Sequence, residues 1–348
     1  MGKQSRIVKR NLLKRLVGTL LLVAVILTGF VVWEIARTPS PPAFPPTPSP
    51  NGYDDFLKAS RLIAHRSLEL TNSDPQLLRP LVQESQAALA LIRAGINREC
   101  RVPLQFTENY LSTHMDELGG FKAAARLLGA EGAVAEADGR VKDAVQAYLD
   151  AIRFGQASSR GGLVIDVMVG AGIQAIGVKK LHGLRERLSS AECREIGKIL
   201  DAIDRESETA ALILKRERAY IRRVRGLWTT TWFRLMARLP WMKWMNTEPA
   251  MENTIFRGQA MLRLLIADLA LRHYKLENGS FPNRLAALAP SYLNAIPTDP
   301  FTGRDFVYRR DDSGYRLYSI GPDRTDDGGK PLGGQRKGPI PQGDVILD

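Results

Sequence analysis

A chain of 348 residues with 44% hydrophobic and 25% charged residues is globular in composition and too long for one small domain, which sets one or two cores plus linkers as the expectation. The low aromatic share of 7%, with abundant Ala, Leu and Arg, favours a mainly α protein. The net charge of +12 does not by itself argue for nucleic acid, because half of it lies before residue 38, where Lys3, Arg6, Lys9, Arg10, Lys14, Arg15 and Arg37 face only Glu34. No nucleic-acid partner is expected. Cys100 and Cys193 exclude a disulfide framework and, without a CxxC or Cys/His pairing, a cysteine metal site; one bridge outside the cytoplasm and two free buried thiols both stay open.

In chain order, residues 1–15 read as a basic cytoplasmic tail and 16–36 as a transmembrane anchor. Leu16 to Trp33 carries no charge and is long enough, as a helix, to cross a hydrocarbon core of about 30 Å. The preceding basic residues hold the N-terminus in the cytoplasm and send the bulk across the inner membrane, towards the periplasm. A cleaved signal peptide is the alternative, but the run exceeds an ordinary h-region and no small-x-small site stands near Trp33. Gly29-Phe30 with Glu34 matches the letters of a type IV prepilin processing site. The apolar helix precedes that junction rather than following it, so processing is not expected.

Residues 37–52 form a linker whose prolines at 39, 41, 42, 45, 46, 48 and 50 favour extended polyproline II. At about 3.1 Å per residue it is a stiff spacer.

Residues 53–253 have helical periodicity throughout, with breaks expected at Asp74-Pro75, Arg79-Pro80, Pro103, Gly119-Gly120, Gly161-Gly162 and Pro240. Six to eight paired helices follow. Leu128, Gly132, Gly139, Ala144, Tyr148 and Ala151 fall where a tetratricopeptide repeat places its small and aromatic residues, with 139–155 as second helix of the pair. One such hairpin is clear and no second recurs at a fixed period. A repeat-like helical domain is therefore expected, with an irregular bundle as alternative.

The Val169-Gly170-Ala171-Gly172-Ile173-Gln174-Ala175 stretch matches GxGxxA, a pattern that lets backbone approach a pyrophosphate. Helical flanks and the further Gly177 and Gly183 favour close helix packing instead. Between Lys215 and Asn246, Arg216, Arg218, Arg222, Arg223, Arg225, Arg234 and Arg238 interleave with Trp228, Trp232, Trp241 and Trp244. Trp228, Trp232, Leu235 and Leu239 share one helical face, expected to pack into the helical core, with a membrane interface as the alternative. His65, His114, His182 and His273 belong to no zinc spacing and read as surface or structural. No nucleophile elbow, Walker loop or paired-carboxylate site appears, so no catalytic residue is assigned.

The last segment, 254–348, opens with a helix from about Thr254 to Glu277, whose stripe is Leu262, Leu265, Ile266, Leu269 and Leu276, stopped at Asn278-Gly279. A short helix, Asn283 to Leu288, and two strands, Phe306 to Arg310 and Tyr315 to Ile320, follow, with residues 343–347 as a candidate third. Tyr274-Lys275-Leu276-Glu277-Asn278-Gly279-Ser280-Phe281-Pro282, Ile296-Pro297-Thr298-Asp299-Pro300 and Tyr315 to Asp323 recur in the order seen in the major pseudopilin of type II secretion systems, which the last ninety or so residues resemble. The resemblance implies a long helix laid on a small antiparallel sheet, with calcium holding the loop after the last long strand. Asp323 matches that family's aspartate at the end of its strand motif. Independently, Asp323, Asp326 and Asp327 beside Gly328-Gly329 are clustered hard oxygen donors suited to calcium, with a solvated acidic loop as the alternative.

The expected fold class is thus mainly α: a single N-terminal transmembrane helix, a helical-repeat-like domain and a C-terminal α+β pseudopilin-like module. The expected function is that of a non-enzymatic, membrane-anchored extracytoplasmic scaffold with a protein partner, linked to secretion or envelope assembly. An envelope enzyme with its site in the helical domain, or a true pseudopilus component, is the alternative.

Overall fold

The computed structural model describes residues 2–37, 44–237, 247–311, 314–333 and 341–347. Two compact units emerge: a smaller one of Met1–Ala43 with Arg218–Thr247, and a larger one of Phe44–Glu217 with Glu248–Asp348.

In the smaller unit, α1 spans Gly2–Arg37. The hydroxyls of Thr19 and Thr28 donate back to Arg15 O at 2.9 Å and Ala24 O at 2.8 Å, so these polar groups are satisfied within the helix. Leu20, Leu21, Val25 and Ile26 are exposed. Among the described residues no helix is long and apolar enough to cross a membrane. The side chains of Val23 and Val31, inside the uncharged run, lie outside the described ones, and so do linker residues 38–43. The expected anchor therefore returns below as a proposal.

The larger unit contains α2 (Gly52–Ile63), α3 (Pro75–Glu84), α4 (Gln86–Ile96), α5 (Tyr110–Ala137), α6 (Val141–Ser159), α7 (Val164–Leu184), α8 (Ser190–Glu206), the start of α9 (Ala210–Met236) and α10 (Glu248–Asn278). Local chemistry sets several ends. Asp74 caps α3 by accepting from Gln76 N at 2.9 Å, with Pro75 in the first turn. Ser189 and Glu192 form a capping box on α8. Gly161, with a φ of 74°, turns the chain between α6 and α7.

Two expected breaks are absent. Pro80 sits inside α3, where its ring withholds a donor only from the carbonyl of Gln76, one turn from the helix start. Gly119-Gly120 lies inside α5, where a Cβ at Gly120 would press on the Ser60 side chain, so the residue permits close approach to α2. Pro240 lies outside the described residues.

The α5–α6 hairpin forms at the expected place. Leu128, Ala144, Tyr148 and Ala151 are buried, and the Tyr148 ring fills the space left by Gly132, where a Cβ would collide with it. Gly170 likewise faces Gly155 backbone across the α6–α7 contact. Phe56, Phe121 and Phe154 pack edge to face at 4.7 to 6.1 Å in a core shared by α2 to α7.

A second core runs across residue 254. It joins Tyr148, Leu181 and Leu200 of the helices to Leu265 and Leu269 of α10 and to Leu288, Phe301, Phe306 and Val345 beyond it. Of the expected α10 stripe, Leu276 is exposed, because it lies in the last turn before Gly279, past the packed stretch. After a 3-10 turn at Leu285–Leu288, β1 (Val307–Arg310) pairs antiparallel with β2 (Tyr315–Tyr318), Val307 opposite Tyr318. Residues 343–347 add no full strand; Val345 exchanges two backbone hydrogen bonds with Ser319, at 2.9 and 3.0 Å. The observed class is mainly helical with a small two-stranded antiparallel sheet.

Candidate functional site

The acidic loop follows β2 and is folded back by the C-terminal segment. Asp299, from the Thr298-Asp299-Pro300 turn, is buried, accepts from Phe301 N at 2.9 Å and Ile320 N at 3.2 Å, and so ties that turn to the end of β2. Of the expected metal ligands, Asp323 accepts from Thr325 N at 3.2 Å and Gly343 N at 3.3 Å. Asp326 is more committed: Tyr318 Oη donates to it at 2.7 Å, Gly328 N at 2.9 Å and Arg309 Nη2 at 2.6 Å. The Tyr318 hydrogen bond, that of Gly328 and the Arg309 charge hold Asp326 below the usual carboxylate range.

Asp327 points elsewhere. Its Oδ2 is buried with no hydrogen-bond partner among the described residues, while its N–H donates to Asp344 Oδ1 at 3.4 Å. Asp344, buried and not singled out by the sequence, accepts from Gly329 N at 2.6 Å. Burial, then the charges of Asp327 and Asp326, push it above its ordinary value despite its backbone donors. Among the described residues no group of three or more His, Cys, Asp or Glu side chains is arranged to hold a metal ion. The loop thus divides into Asp323 and Asp326, engaged by backbone and Arg309, and the Asp327–Asp344 pair, which carries an unsatisfied buried oxygen.

Two further polar clusters bring together residues far apart in sequence. His114 on α5 is fully buried; its Nδ1 lies 3.0 Å from Glu117 Oε2 and its Nε2 2.6 Å from Asp166 Oδ1 on α7. The rings of Tyr110 and Tyr53 stack on the imidazole, at 4.8 and 6.4 Å. Asp166 Oδ2 also accepts from Leu163 N at 2.7 Å, capping α7. Burial works against the imidazolium, but hydrogen bonds and charge from Asp166, then Glu117, outweigh it and raise His114 above its ordinary value. With both nitrogens facing carboxylates, this imidazole has no lone pair to offer as a base while protonated. Nearby, Glu217 accepts from Val164 N at 2.9 Å and is raised chiefly by burial.

The second cluster centres on Asp268 of α10, also buried. Tyr315 of β2 donates its phenol to Oδ1, while His182 Nδ1 lies 3.1 Å and Arg185 Nε 3.6 Å from Oδ2. Burial, then the Asp268 charge, push the Tyr315 phenol well above its ordinary range. This cluster joins α7, α10 and the sheet.

His65 is exposed, as expected of a surface residue, and His273 Nε2 lies 3.0 Å from Glu277. Ser190 donates to that same carboxylate at 3.1 Å, so the serine is not activated by the imidazole. Cys100 and Cys193 are both free and buried, and burial pushes their thiols up to about 12 and about 11. Gly170 and Gly172 lie within α7 and not at a helix start, so the GxGxxA pattern lacks the N–H groups a phosphate needs.

The signal missed in the sequence was a carboxylate at Asp166 and another at Asp268, each buried on an otherwise apolar helix face. No family model, curated protein or solved structure matches the chain.

Proposed function

We propose that the chain is a non-enzymatic, single-pass protein of the cytoplasmic membrane, its bulk extracytoplasmic, in which a helical array and a pseudopilin-like module together form a scaffold for another envelope protein. One observation carries this reading: the core and the Asp268 cluster make the sheet module continuous with the helices. A module fused in this way suits a fixed platform better than a subunit that polymerises through its own N-terminal helix. The His114 and Asp268 groups are engaged in joining elements, which also favours scaffolding over catalysis.

The anchor reading rests on the uncharged run Leu16–Trp33, its basic flank and the internally satisfied Thr19 and Thr28. Resistance to alkaline carbonate extraction is expected, together with a mature N-terminus that retains residues 1–28. Loss of those residues would favour a pseudopilus component.

For scaffolding, photo-crosslinkers at the exposed Leu111 and Met115 of α5 are expected to give a discrete adduct with one envelope protein. No adduct from any exposed position, with substrate turnover by the purified chain, would replace this reading with the envelope enzyme.

The loop after β2 is proposed to take calcium through Asp327 and Asp344, since Asp327 Oδ2 is a buried carboxylate oxygen of that loop without a partner among the described residues. Calcium bound there supplies charge neutralisation and no reaction step.

A further inference from the structure

The chain's charge and its tryptophans are divided unequally between the two units. The smaller unit holds fourteen of the 49 Lys and Arg residues but only one of the 37 Asp and Glu, leaving 35 basic against 36 acidic residues in the larger. All five tryptophans also lie in the smaller unit: Trp33 in α1, and Trp228, Trp232, Trp241 and Trp244 in residues 218–247, which contain seven basic residues and no acidic one.

Within that second segment Gly226, with a φ of 79° and a ψ of 164°, interrupts α9, so the stretch from Leu227 to Met236 is a separate helical piece. Trp228 and Trp232, one turn apart, are 59% and 53% exposed, and Leu227 and Phe233 are exposed beside them. This overturns the expectation that the face packs into the helical core for its two described members, Trp228 and Trp232. The side chain of Leu235, and all of Leu239, Trp241 and Trp244, lie outside the described residues. The hydroxyl of Thr230 lies 3.0 Å from both Gly226 O and Leu227 O, which share its one proton, and this satisfies it without water.

Ten helical residues rise about 15 Å, half of a hydrocarbon core of about 30 Å, so this piece is too short to span a bilayer. An exposed aromatic face on a segment whose charged residues are all basic suits the headgroup boundary, where indole rings settle and anionic phosphate meets basic side chains.

We propose that residues 227–236 are a second membrane element, a helix that lies in the interface of an anionic phospholipid bilayer with Trp228 and Trp232 inserted. This rests on the anchor reading above for its access to a bilayer, and its test separates the two. The full chain is reconstituted in vesicles of phosphatidylcholine and phosphatidylglycerol at 3:1, with a nitroxide introduced at Trp228→Cys, Trp232→Cys or, as an aqueous reference, Leu68→Cys, a position 83% exposed. The buried Cys100 and Cys193 leave the introduced thiol as the reactive one.

At 228 and 232, collisions with oxygen are expected to exceed those with a water-soluble nickel chelate several-fold over the ratio at 68, and the excess to fall in pure phosphatidylcholine. Labels at 228 and 232 as open to the chelate as the label at 68 would overturn the proposal. So would labels shielded from both collision partners, the sign of a protein surface covering the face. An oxygen excess unchanged in pure phosphatidylcholine would overturn the anionic-lipid part. Carbonate extraction reads the anchor independently: an aqueous 232 label in a carbonate-resistant protein sinks only the interfacial helix, and a lipid-facing label in an extractable protein sinks only the anchor.

Discussion

The phenol of Tyr315 donates to the carboxylate of Asp268, fixing strand β2 to the buried face of α10. His182 and Arg185, from the end of α7 and just beyond it, reach the other oxygen of the same carboxylate. Tyr315→Phe removes one hydrogen bond to a charged group and is expected to cost about 1.5–3 kcal/mol. Asp268→Ala strips the shared partner from three side chains, and a loss of about 3–5 kcal/mol is expected. Urea denaturation followed by tyrosine fluorescence and by helical circular dichroism checks both. The shared core predicts coincident transitions in the wild-type larger unit, whereas a sheet transition that precedes the helical one would show the module folding on its own.

His114 gives the larger unit a pH dependence with a definite sign. Its folded value is raised, so the native state holds the proton more tightly than the unfolded chain. That stabilisation is complete below the ordinary histidine value of about 6.5 and is lost as pH rises through the raised folded value. Between the two, stability is expected to fall by about 1.4 kcal/mol per pH unit. The raised Glu217 also costs stability as pH rises, from near the ordinary glutamate value of about 4.3 upward, so Glu217→Gln is the control that removes its share of the slope. Denaturation midpoints measured across pH provide the test. His114→Gln should flatten the upper slope, and an unchanged slope would show that another group carries it.

Two glycines in α5 should respond in opposite directions. A Cβ at Gly132 collides with the Tyr148 ring, so Gly132→Ala is expected to destabilise by about 1–3 kcal/mol although alanine is the better helix former. Gly119 has nothing within 4 Å of a new Cβ, and Gly119→Ala is expected to stabilise by about 0.5–1 kcal/mol. Thermal melts of the two variants decide the matter. Equal effects would mean that propensity alone governs this helix.

Local signals made much of the fold readable from sequence. The α5–α6 hairpin, the stop at Gly279 and the β1–β2 turn each depend on residues within a few positions of one another, where periodicity and glycine or proline placement act directly. Pro80 and Gly119-Gly120 misled because neither residue type by itself ends a helix: α3 continues through Pro80 at the loss of one intrahelical donor, and Gly120 faces Ser60 of another helix. The polar clusters were not readable at all. His114 meets Asp166 across 52 positions and His182 meets Asp268 across 86, and no periodicity encodes such pairings. Asp344 was missed for the same reason, being brought to the acidic loop by the backbone pairing of Val345 with Ser319.

That displaced carboxylate recasts how calcium should act on the loop. If Asp327 and Asp344 hold the ion, added calcium raises the melting temperature of the full chain above its value in chelator, because an ion bound only by the native state stabilises in proportion to its occupancy. Asp344→Asn should abolish the difference, since it removes the buried charge that accepts from Asp327 N and would share the ion with Asp327 Oδ2. Asp326→Asn should leave most of it, because that carboxylate is already engaged by Arg309, Tyr318 and Gly328. Asp323→Ala is the sharper comparison with the pseudopilin resemblance: loss of the calcium response there would restore Asp323 as a ligand in place of its present backbone contacts with Thr325 and Gly343. A melting temperature indifferent to chelator and calcium in the wild-type chain would exclude the ion, leaving the Arg309–Asp326 pair as the loop's means of charge neutralisation.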